Sequence, residues 1–310
     1  MSKPILITGA SGFMGFHVAR ALAEADLPYR ALVRPTSNVV ALQALDAELC
    51  TGDVTDRASL VRALDGCGAV IHLAGAADIA DPVINQQVNV DGTVNVAAAC
   101  REAGVQRLVF YSTNCAVRQL QDAYGRTKHE AEQALEEYQG DLDIRTFRPA
   151  MIYGEGSVEF TTFVNTVARA PLVPVPGSGE HILRPALIDD VVAATLAAVQ
   201  RDGLNGRFYD IIGSSPITLN GLIAEVARLM DKERRPLHIP QQLCLWGAHL
   251  LGMVQTHPLV TPDQVLAFAQ DTTGDYENAT EDLDYRPVSM EQGLARLFGR
   301  TPWHCMGQLL

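Results

Sequence analysis

One stretch near the start constrains this chain most. The apolar run Ile5-Leu-Ile7 leads into three glycines spaced three apart, Gly9, Gly12 and Gly15. A helical pattern follows, carried by Phe13, Phe16, Val18, Ala19, Leu22 and Ala23. A short continuous apolar run predicts a strand buried on both faces, as in a parallel sheet. A helix starting directly after it presents unpaired backbone N–H groups and the positive end of its dipole. A pyrophosphate can settle there when no Cβ obstructs it, and glycine removes the Cβ. The spacing is Gly-x-x-Gly-x-x-Gly, not the Gly-x-Gly-x-x-Gly of ordinary dinucleotide-binding turns. A tight strand–helix turn alone would also use glycines. The strand before and the helix after supply the context that phosphate binding requires.

The chain continues as strands alternating with helices. Tyr29 to Arg34 reads as a second strand. Its terminal Arg34, followed by Thr36, Ser37 and Asn38, suits a ribose 2′-phosphate and so favours NADP over NAD, whose 2′-OH calls for an acidic side chain. Ala47 to Cys50 is a third strand. Asp53, in Thr51-Gly-Asp-Val-Thr-Asp56, is placed to accept from an adenine amine, and Thr55 or Asp56 to cap a helix running to Leu64. Ala69 to Gly75 is a fourth strand ending in small residues that let a ligand approach the backbone. His72 within it reads as a core histidine. Asn89 to Cys100 and Ala123 to Tyr138 read as helices, Arg107 to Thr113 as a fifth strand, and Ile144 to Arg148 as a sixth strand stopped by Pro149.

This alternation predicts an α/β fold: a Rossmann, doubly wound parallel sheet with helices on both faces, over residues 1–150. Beyond Pro149 the texture is loop-rich, notably over 153–157 and 171–179. Helices are expected over 160–169, 189–200, 219–230 with Thr218 as cap, 240–254 and 261–270, and a strand over 206–212. Residues 151–310 read as a smaller substrate lobe, with about 184–213 returning to the sheet. The apolar helix over 240–254 reads as a core helix rather than a membrane-facing lid.

Composition narrows the function. A formal net charge of −12 opposes a nucleic-acid role, which needs a basic surface. The six scattered cysteines read as reduced thiols, and the eight histidines show no metal-ligand spacing. No signal peptide is evident, and no apolar run approaches the roughly 20 residues that span a bilayer. The expectation is a cytoplasmic protein acting on a small molecule.

Thr113, Tyr124 and Lys128 form a coherent acid/base set. Tyr124 and Lys128 are four apart and share a helix face. A phenol with an unperturbed pKa of about 10 is a poor base near neutrality. An adjacent ammonium and an oxidised nicotinamide both favour phenolate. Tyr124 can then exchange a proton with a substrate oxygen while a hydride moves at the same carbon, and Thr113 can hold that oxygen.

Together these residues resemble the extended short-chain dehydrogenase/reductase family. The likeness is close to its NAD(P)-dependent epimerase/dehydratase and its 3β-hydroxysteroid-dehydrogenase-like or dihydroflavonol-reductase-like branches. The matching motifs are Thr8-Gly-Ala-Ser-Gly-Phe-Met-Gly15, Gly52-Asp-Val-Thr-Asp56, His72-Leu-Ala-Gly75, Asn89-Val-Asp-Gly-Thr93, Tyr111-Ser-Thr113, Tyr124-Gly-Arg-Thr-Lys128, Arg148-Pro-Ala-Met-Ile-Tyr-Gly154, Ile188-Asp-Asp-Val191 and the stretch from Asn278 to Pro287. The resemblance implies that Tyr124 is the acid/base, Lys128 its partner and Thr113 the catalytic hydroxyl, with Asn89 supporting the site. It implies cofactor contacts from Gly9, Ser11, Gly12, Phe13, Met14, Gly15, Arg34, Asp53, Val54, Ala74, Gly75, Tyr124, Lys128, Pro149 and Ile152. Asn114 and Arg184 become substrate-side candidates, and a homodimer through two sheet-flanking helices is expected.

Two departures matter. Nucleotide-sugar dehydratases carry Asp-Glu after the catalytic Thr, where this chain has Asn114 and Cys115, so a dehydratase is not expected. Thr113 and Tyr124 are also unusually close, as in atypical members that hold the nucleotide for structural reasons. The leading expectation is an NADP-dependent oxidoreductase on a secondary alcohol or ketone, with NAD as the other possible cofactor. A nucleotide-sugar epimerase and a non-catalytic NADP-binding protein stay open beside it.

Overall fold

The computed structural model describes residues 3–77, 81–118, 122–254 and 262–300. Strands β1 (Ile5–Thr8), β2 (Tyr29–Val33), β3 (Glu48–Thr51), β4 (Ala69–His72), β5 (Arg107–Tyr111) and β6 (Asp143–Pro149) join a seventh strand, Arg207–Ile211, in one parallel sheet. Their spatial order is Arg207–Ile211, β6, β5, β4, β1, β2, β3. The order reverses at β1, which pairs with β2 on one side and β4 on the other. In doubly wound sheets the crevice at the carboxyl end of such a switch point receives the ligand.

Side-chain alternation explains why the central strands carry apolar residues at successive positions. Ile5, Ile7, Ala31, Val33, Ile71, Val109, Tyr111 and Phe147 pack on one face; Leu6, Leu32, Val70, Leu108, Phe110 and Ile144 pack on the other. Each face is covered by helices, so both sets leave water. Full burial of one such side chain is worth about 1.5–3 kcal/mol. Helices α1 (Phe13–Glu24), α2 (Val40–Gln43), α3 (Arg57–Leu64), α4 (Pro82–Asn85), α5 (Gly92–Ala103) and α6 (Ala123–Leu135) lie in the first half. On the Ile5 side, α1 and the helix Ile188–Gln200 contribute Val18, Leu22, Val191 and Ala198. The same core continues into the lobe through Val173, Val175, Leu222 and Leu294.

Most expected elements form within a residue or two of their expected limits. Asp56, not Thr55, caps α3, accepting from Ala58 N at 3.1 Å, and Thr218 caps the helix Leu219–Leu229. Pro149 is the last residue of β6, paired with Ile211, rather than the stop before it. The stretch 171–179, expected as loop, contains a strand, Leu172–Pro176, paired in parallel with Arg235–Ile239. Pro174 and Pro176 disguise it, but they occupy alternate positions while Val173 and Val175 face the core. The helix Gln241–Val254 is not the core helix expected: Leu243, Trp246 and Leu250 are 63%, 75% and 64% exposed. Among the described residues, no helix is long and apolar enough to cross a membrane, and no disulfide or metal-ligating cluster forms.

Gly15 gives this fold a sharp test. A Cβ there would overlap the Gly9 carbonyl oxygen and lie 2.6 Å from Ala10 Cα. Alanine gains about 1 kcal/mol of helix propensity, but overpacking against backbone costs about 1–3 kcal/mol or more. Thermal unfolding of Gly15→Ala is expected to show a lower Tm; an unchanged or raised Tm contradicts the packing described.

Candidate active site

The glycines divide their work. After β1 the chain turns at Gly9, whose φ is +71°, and Gly12 N donates to Gly9 O at 3.0 Å. A Cβ on Gly9 would lie 2.7 Å from Ala74 N, so that glycine lets the exit of β4 pass alongside. Gly15 brings α1 down onto the turn. Gly12 is different: it and Ser11 are exposed, and a Cβ on Gly12 would meet only Gly9 O, at 3.3 Å.

The start of α1 at Gly12 has no side-chain cap. By contrast α3, α4, α6 and the helices Val158–Arg169 and Leu219–Leu229 are capped by Asp56, Asp81, Asp122, Ser157 and Thr218. The first-turn N–H groups of α1, at Phe13 and Met14, thus form a donor set with no internal side-chain acceptor. That set fits a dinucleotide pyrophosphate. The Phe13 ring turns edge-on to His17, with centroids 5.3 Å apart.

The other predicted cofactor residues spread along the carboxyl edge of the sheet. Arg34 is exposed one residue beyond β2, its backbone held in a turn by Ser37. Asp53 is half-buried, and its Oδ1 accepts from Thr55 N at 2.9 Å and Thr55 Oγ1 at 2.8 Å, leaving Oδ2 as the oxygen available to an adenine amine. Val54 is buried against Gly92, and its carbonyl accepts from Asn95 Nδ2 at 3.0 Å. Its side chain therefore serves the core.

A buried hydrogen-bond chain connects the glycine turn to the acid/base side, and its polarity can be deduced. Thr93 Oγ1 donates to Asn89 O at 2.6 Å, so it must accept from His72 Nε2 at 3.0 Å. His72 Nδ1 then accepts from Thr8 Oγ1 at 2.7 Å, and Thr8 Oγ1 accepts from Ala74 N at 3.2 Å. This arrangement fixes the neutral Nε2–H tautomer. Burial and the nearby Lys128 charge push the His72 pKa down to about 3. His72 is thus a structural histidine, as the sequence predicts.

Asn89, on a π-helical turn over Gln86–Asp91, joins three segments. Its Oδ1 accepts from Ala76 N at 2.8 Å, and its Nδ2 donates to Thr127 Oγ1 at 3.0 Å and Asn85 Oδ1 at 3.2 Å. Thr127 in turn donates to Tyr124 O at 3.0 Å. Asn89 therefore locks the exit of β4 to α6, and a Cβ on the exposed Gly75 would lie 3.4 Å from both Asn89 Oδ1 and Lys128 Nζ.

Lys128 is 1% exposed, and its Nζ donates to Tyr111 O at 2.8 Å. The ammonium also lies 4.9 Å from the Phe110 ring centroid and 5.9 Å from that of Tyr124. Burial pulls its pKa down to about 7, against the opposing pull of Glu132. Tyr124 is half-buried in the first turn of α6, which Asp122 begins by accepting from Gly125 N at 2.5 Å. Thr113 lies at the carboxyl end of β5, its Oγ1 accepting from Cys115 N at 3.3 Å. Asn114 beside it is fully buried and donates through Nδ2 to Thr273 O at 2.8 Å, while its Oδ1 and the neighbouring Ser112 Oγ have no partner among the described residues. Part of the link between Thr113 and Tyr124, residues 119–121, lies outside the described residues.

Strand pairing places Ile152 opposite Ala186 and Pro149 opposite Ile211. Arg184 is half-buried between the strands Ile182–Leu183 and Ala186–Leu187, and its carbonyl accepts from Gly213 N at 2.9 Å. The sequence reading missed the π-helical turn and the ion pair between Glu132 and Arg148, whose only advance signal was the four-residue step from Lys128 to Glu132. It also missed the Thr272–Asp275 segment, which reaches Asn114 from far along the chain.

This fold and edge define a nucleotide-binding enzyme of the extended short-chain dehydrogenase/reductase type. The chain belongs to the NAD dependent epimerase/dehydratase family, whose model matches residues 5–211. It is similar to a ceramide reductase of Caulobacter vibrioides, 33% identical over 76% of this chain and 73% of that protein. It is also similar to the N-acetyl-α-D-glucosaminyl-diphospho-ditrans,octacis-undecaprenol 4-epimerase of Escherichia coli O157:H7, 26% identical over 96% and 94% of the two chains. Its fold is shared with a UDP-glucuronic acid 4-epimerase from Bacillus cereus, solved with UDP-glucuronic acid and NAD, at a TM-score of 0.77 and 20% identity over 99% and 100% of the two chains.

Replacing Asn89 with alanine strands the buried Ala76 N–H and removes the tie to Thr127. Unpaired buried groups cost about 1–3 kcal/mol. Denaturant unfolding of Asn89→Ala is expected to show a loss of that size, and wild-type stability would count against the junction.

Proposed function

We propose that this protein is an NADP-dependent oxidoreductase that interconverts a secondary alcohol and its ketone. Tyr124 is the general acid/base, Lys128 its charged partner, and Thr113 the hydroxyl that holds the reacting oxygen. The observation that carries this reading is the buried Lys128 ammonium, one helical turn from Tyr124 and beside the exposed Gly75. A bound dinucleotide would supply the hydride donor or acceptor. The first-turn N–H groups of α1 would hold its pyrophosphate, Arg34 its 2′-phosphate, and Ala74 and Gly75 would leave room beside the backbone. Near an ammonium, Tyr124 gives up its proton more readily, so it can take one from an alcohol or return one to a carbonyl oxygen. The names of the similar proteins include both reductases and epimerases. Asn114 and Cys115 stand where nucleotide-sugar dehydratases carry Asp-Glu, which argues against dehydration.

The assay is consumption of NADPH followed by the near-ultraviolet absorbance of reduced nicotinamide, over a panel of ketones and sugars. Net, substrate-dependent consumption is expected. Isomerisation without net cofactor change would replace this reading by epimerisation, and binding without any turnover would replace it by a structural nucleotide role. Positioned acid–base catalysis is worth roughly 10²–10⁴-fold, so Tyr124→Phe is expected to lose about that much kcat; a full rate would refute the role given to Tyr124.

Cofactor choice is tested separately. Arg34→Ala is expected to weaken NADPH binding while leaving NADH binding nearly unchanged, read by fluorescence titration. Equal loss for both cofactors, or no loss, would contradict the 2′-phosphate role.

A further inference from the structure

The acid/base pair uses Lys128 but leaves unexplained a second buried charge on the same helix. Glu132 follows Lys128 by four residues on α6, so the two share a face. It is 5% exposed and held by two hydrogen bonds from Arg148 on β6, Nε to Oε1 at 2.9 Å and Nη2 to Oε2 at 2.6 Å. The Arg148 guanidinium is fixed in turn over the Phe208 ring, 4.3 Å from its centroid. Burying a carboxylate and a guanidinium is costly, and replacing such a pair with apolar residues is often neutral or stabilising. Stability alone is therefore a weak reason for its presence.

We propose that Glu132 is a positioning residue for Lys128: its clamped, buried carboxylate keeps the lysine an ammonium, held between the Tyr111 carbonyl and the Tyr124 ring. It touches neither substrate nor cofactor and acts through Lys128. The inference rests on the reading of Tyr124 and Lys128 as a pair. Among the described residues, Glu132 is the negative charge that opposes the effect of burial on Lys128. From β4, His72 is neutral and its tautomer is fixed by Thr8 and Thr93. From β5, the Tyr111 hydroxyl is engaged by Thr195. From the π-helical turn, Asn89 is uncharged. On α6 itself stand Tyr124, His129 and Glu132, with His129 Nδ1 3.9 Å from Glu132 Oε2, while Arg126 and Glu130 pair with each other on the outer side and Asp122, at the helix start, is engaged by Gly125 N. Behind Glu132 lie Arg148 and, on the seventh strand, Asp210. Asp210 is raised to about 6, first by burial, and it also senses Arg148, Asp275 and Glu132.

The sign follows directly. Burial favours neutral Lys128, and Glu132 opposes burial. Removing the carboxylate lets burial prevail and leaves Arg148 as an uncompensated cation, so Lys128 loses its proton at a lower pH. The sequence contains three lysines, Lys3, Lys128 and Lys232, which makes a ¹³C-lysine NMR titration readable in the cofactor-free, full-length protein. Nearby charges shift a pKa by about 1–3 units. Glu132→Gln is expected to lower the Lys128 midpoint by about one unit or more, whereas Glu132→Asp, which keeps the charge, stays close to wild type. Arg148→Gln leaves Glu132 facing Lys128 without its competing cation and is expected to raise the midpoint, which keeps the test alive if Glu132→Gln does not fold. An unmoved midpoint in Glu132→Gln, an equal fall in Glu132→Asp, or no rise in Arg148→Gln overturns the proposal. The titration needs no turnover, so its failure is distinct from retained activity in Tyr124→Phe, which would overturn the pair reading itself.

Discussion

An ammonium buried away from water must be answered by an acceptor and by charge, and the surroundings of Lys128 are arranged around that requirement. Lys128 meets it with the carbonyl of Tyr111 and the ring faces of Phe110 and Tyr124, while the Glu132 carboxylate four residues on opposes the effect of burial on its charge. Each partner belongs to an element that the sheet holds in place. The carbonyl ends β5, the rings flank it, and Glu132 is pinned to β6 through Arg148. A lysine at the protein surface would remain charged but would exert a much weaker, solvent-screened field on Tyr124. Burial makes the ammonium effective and, at the same time, makes its charge depend on a few neighbours.

The glycine turn and helix α6 are physically one unit. Thr8 leaves β1 immediately before Gly9 and reaches Ala74 and His72. His72 reaches Thr93, and Thr93 reaches Asn89. The Asn89 side chain then fixes both the exit of β4 and Thr127, the residue before Lys128. A shift of the glycine turn would therefore be felt at the helix that carries Tyr124. The coupling runs through buried hydrogen bonds, where leaving one donor unpaired is expensive.

Much of this was legible from residues alone because it is local. A short apolar strand, glycines at a fixed step and a following helix need only a dozen neighbouring positions, and the parallel sheet follows from repeated strand–helix alternation. Tyr124, Lys128 and Thr113 stood out as candidates because four-residue spacing and strand ends are local too. The rest was hidden for equally physical reasons. Asn89 was a candidate, but the π-helical turn that carries it leaves no simple periodicity. The strand Leu172–Pro176 contains two prolines, which count against a strand unless their alternate placement is recognised. The helix Gln241–Val254 is apolar on several sides, so pattern alone does not tell which side meets water. Asn114 with Thr273, and Glu132 with Arg148, are contacts whose partners only tertiary packing selects.

The central claim is that this edge of the sheet moves a hydride between a nicotinamide and a substrate carbon. The most direct measurement is isotope transfer: NADPH carrying deuterium at the transferable position of nicotinamide C4, incubated with the protein and a panel of ketones, with the products analysed by mass spectrometry. The account predicts an alcohol product bearing one deuterium on its carbinol carbon, formed only with active protein. NADPH that binds while no product acquires label across the panel would contradict it.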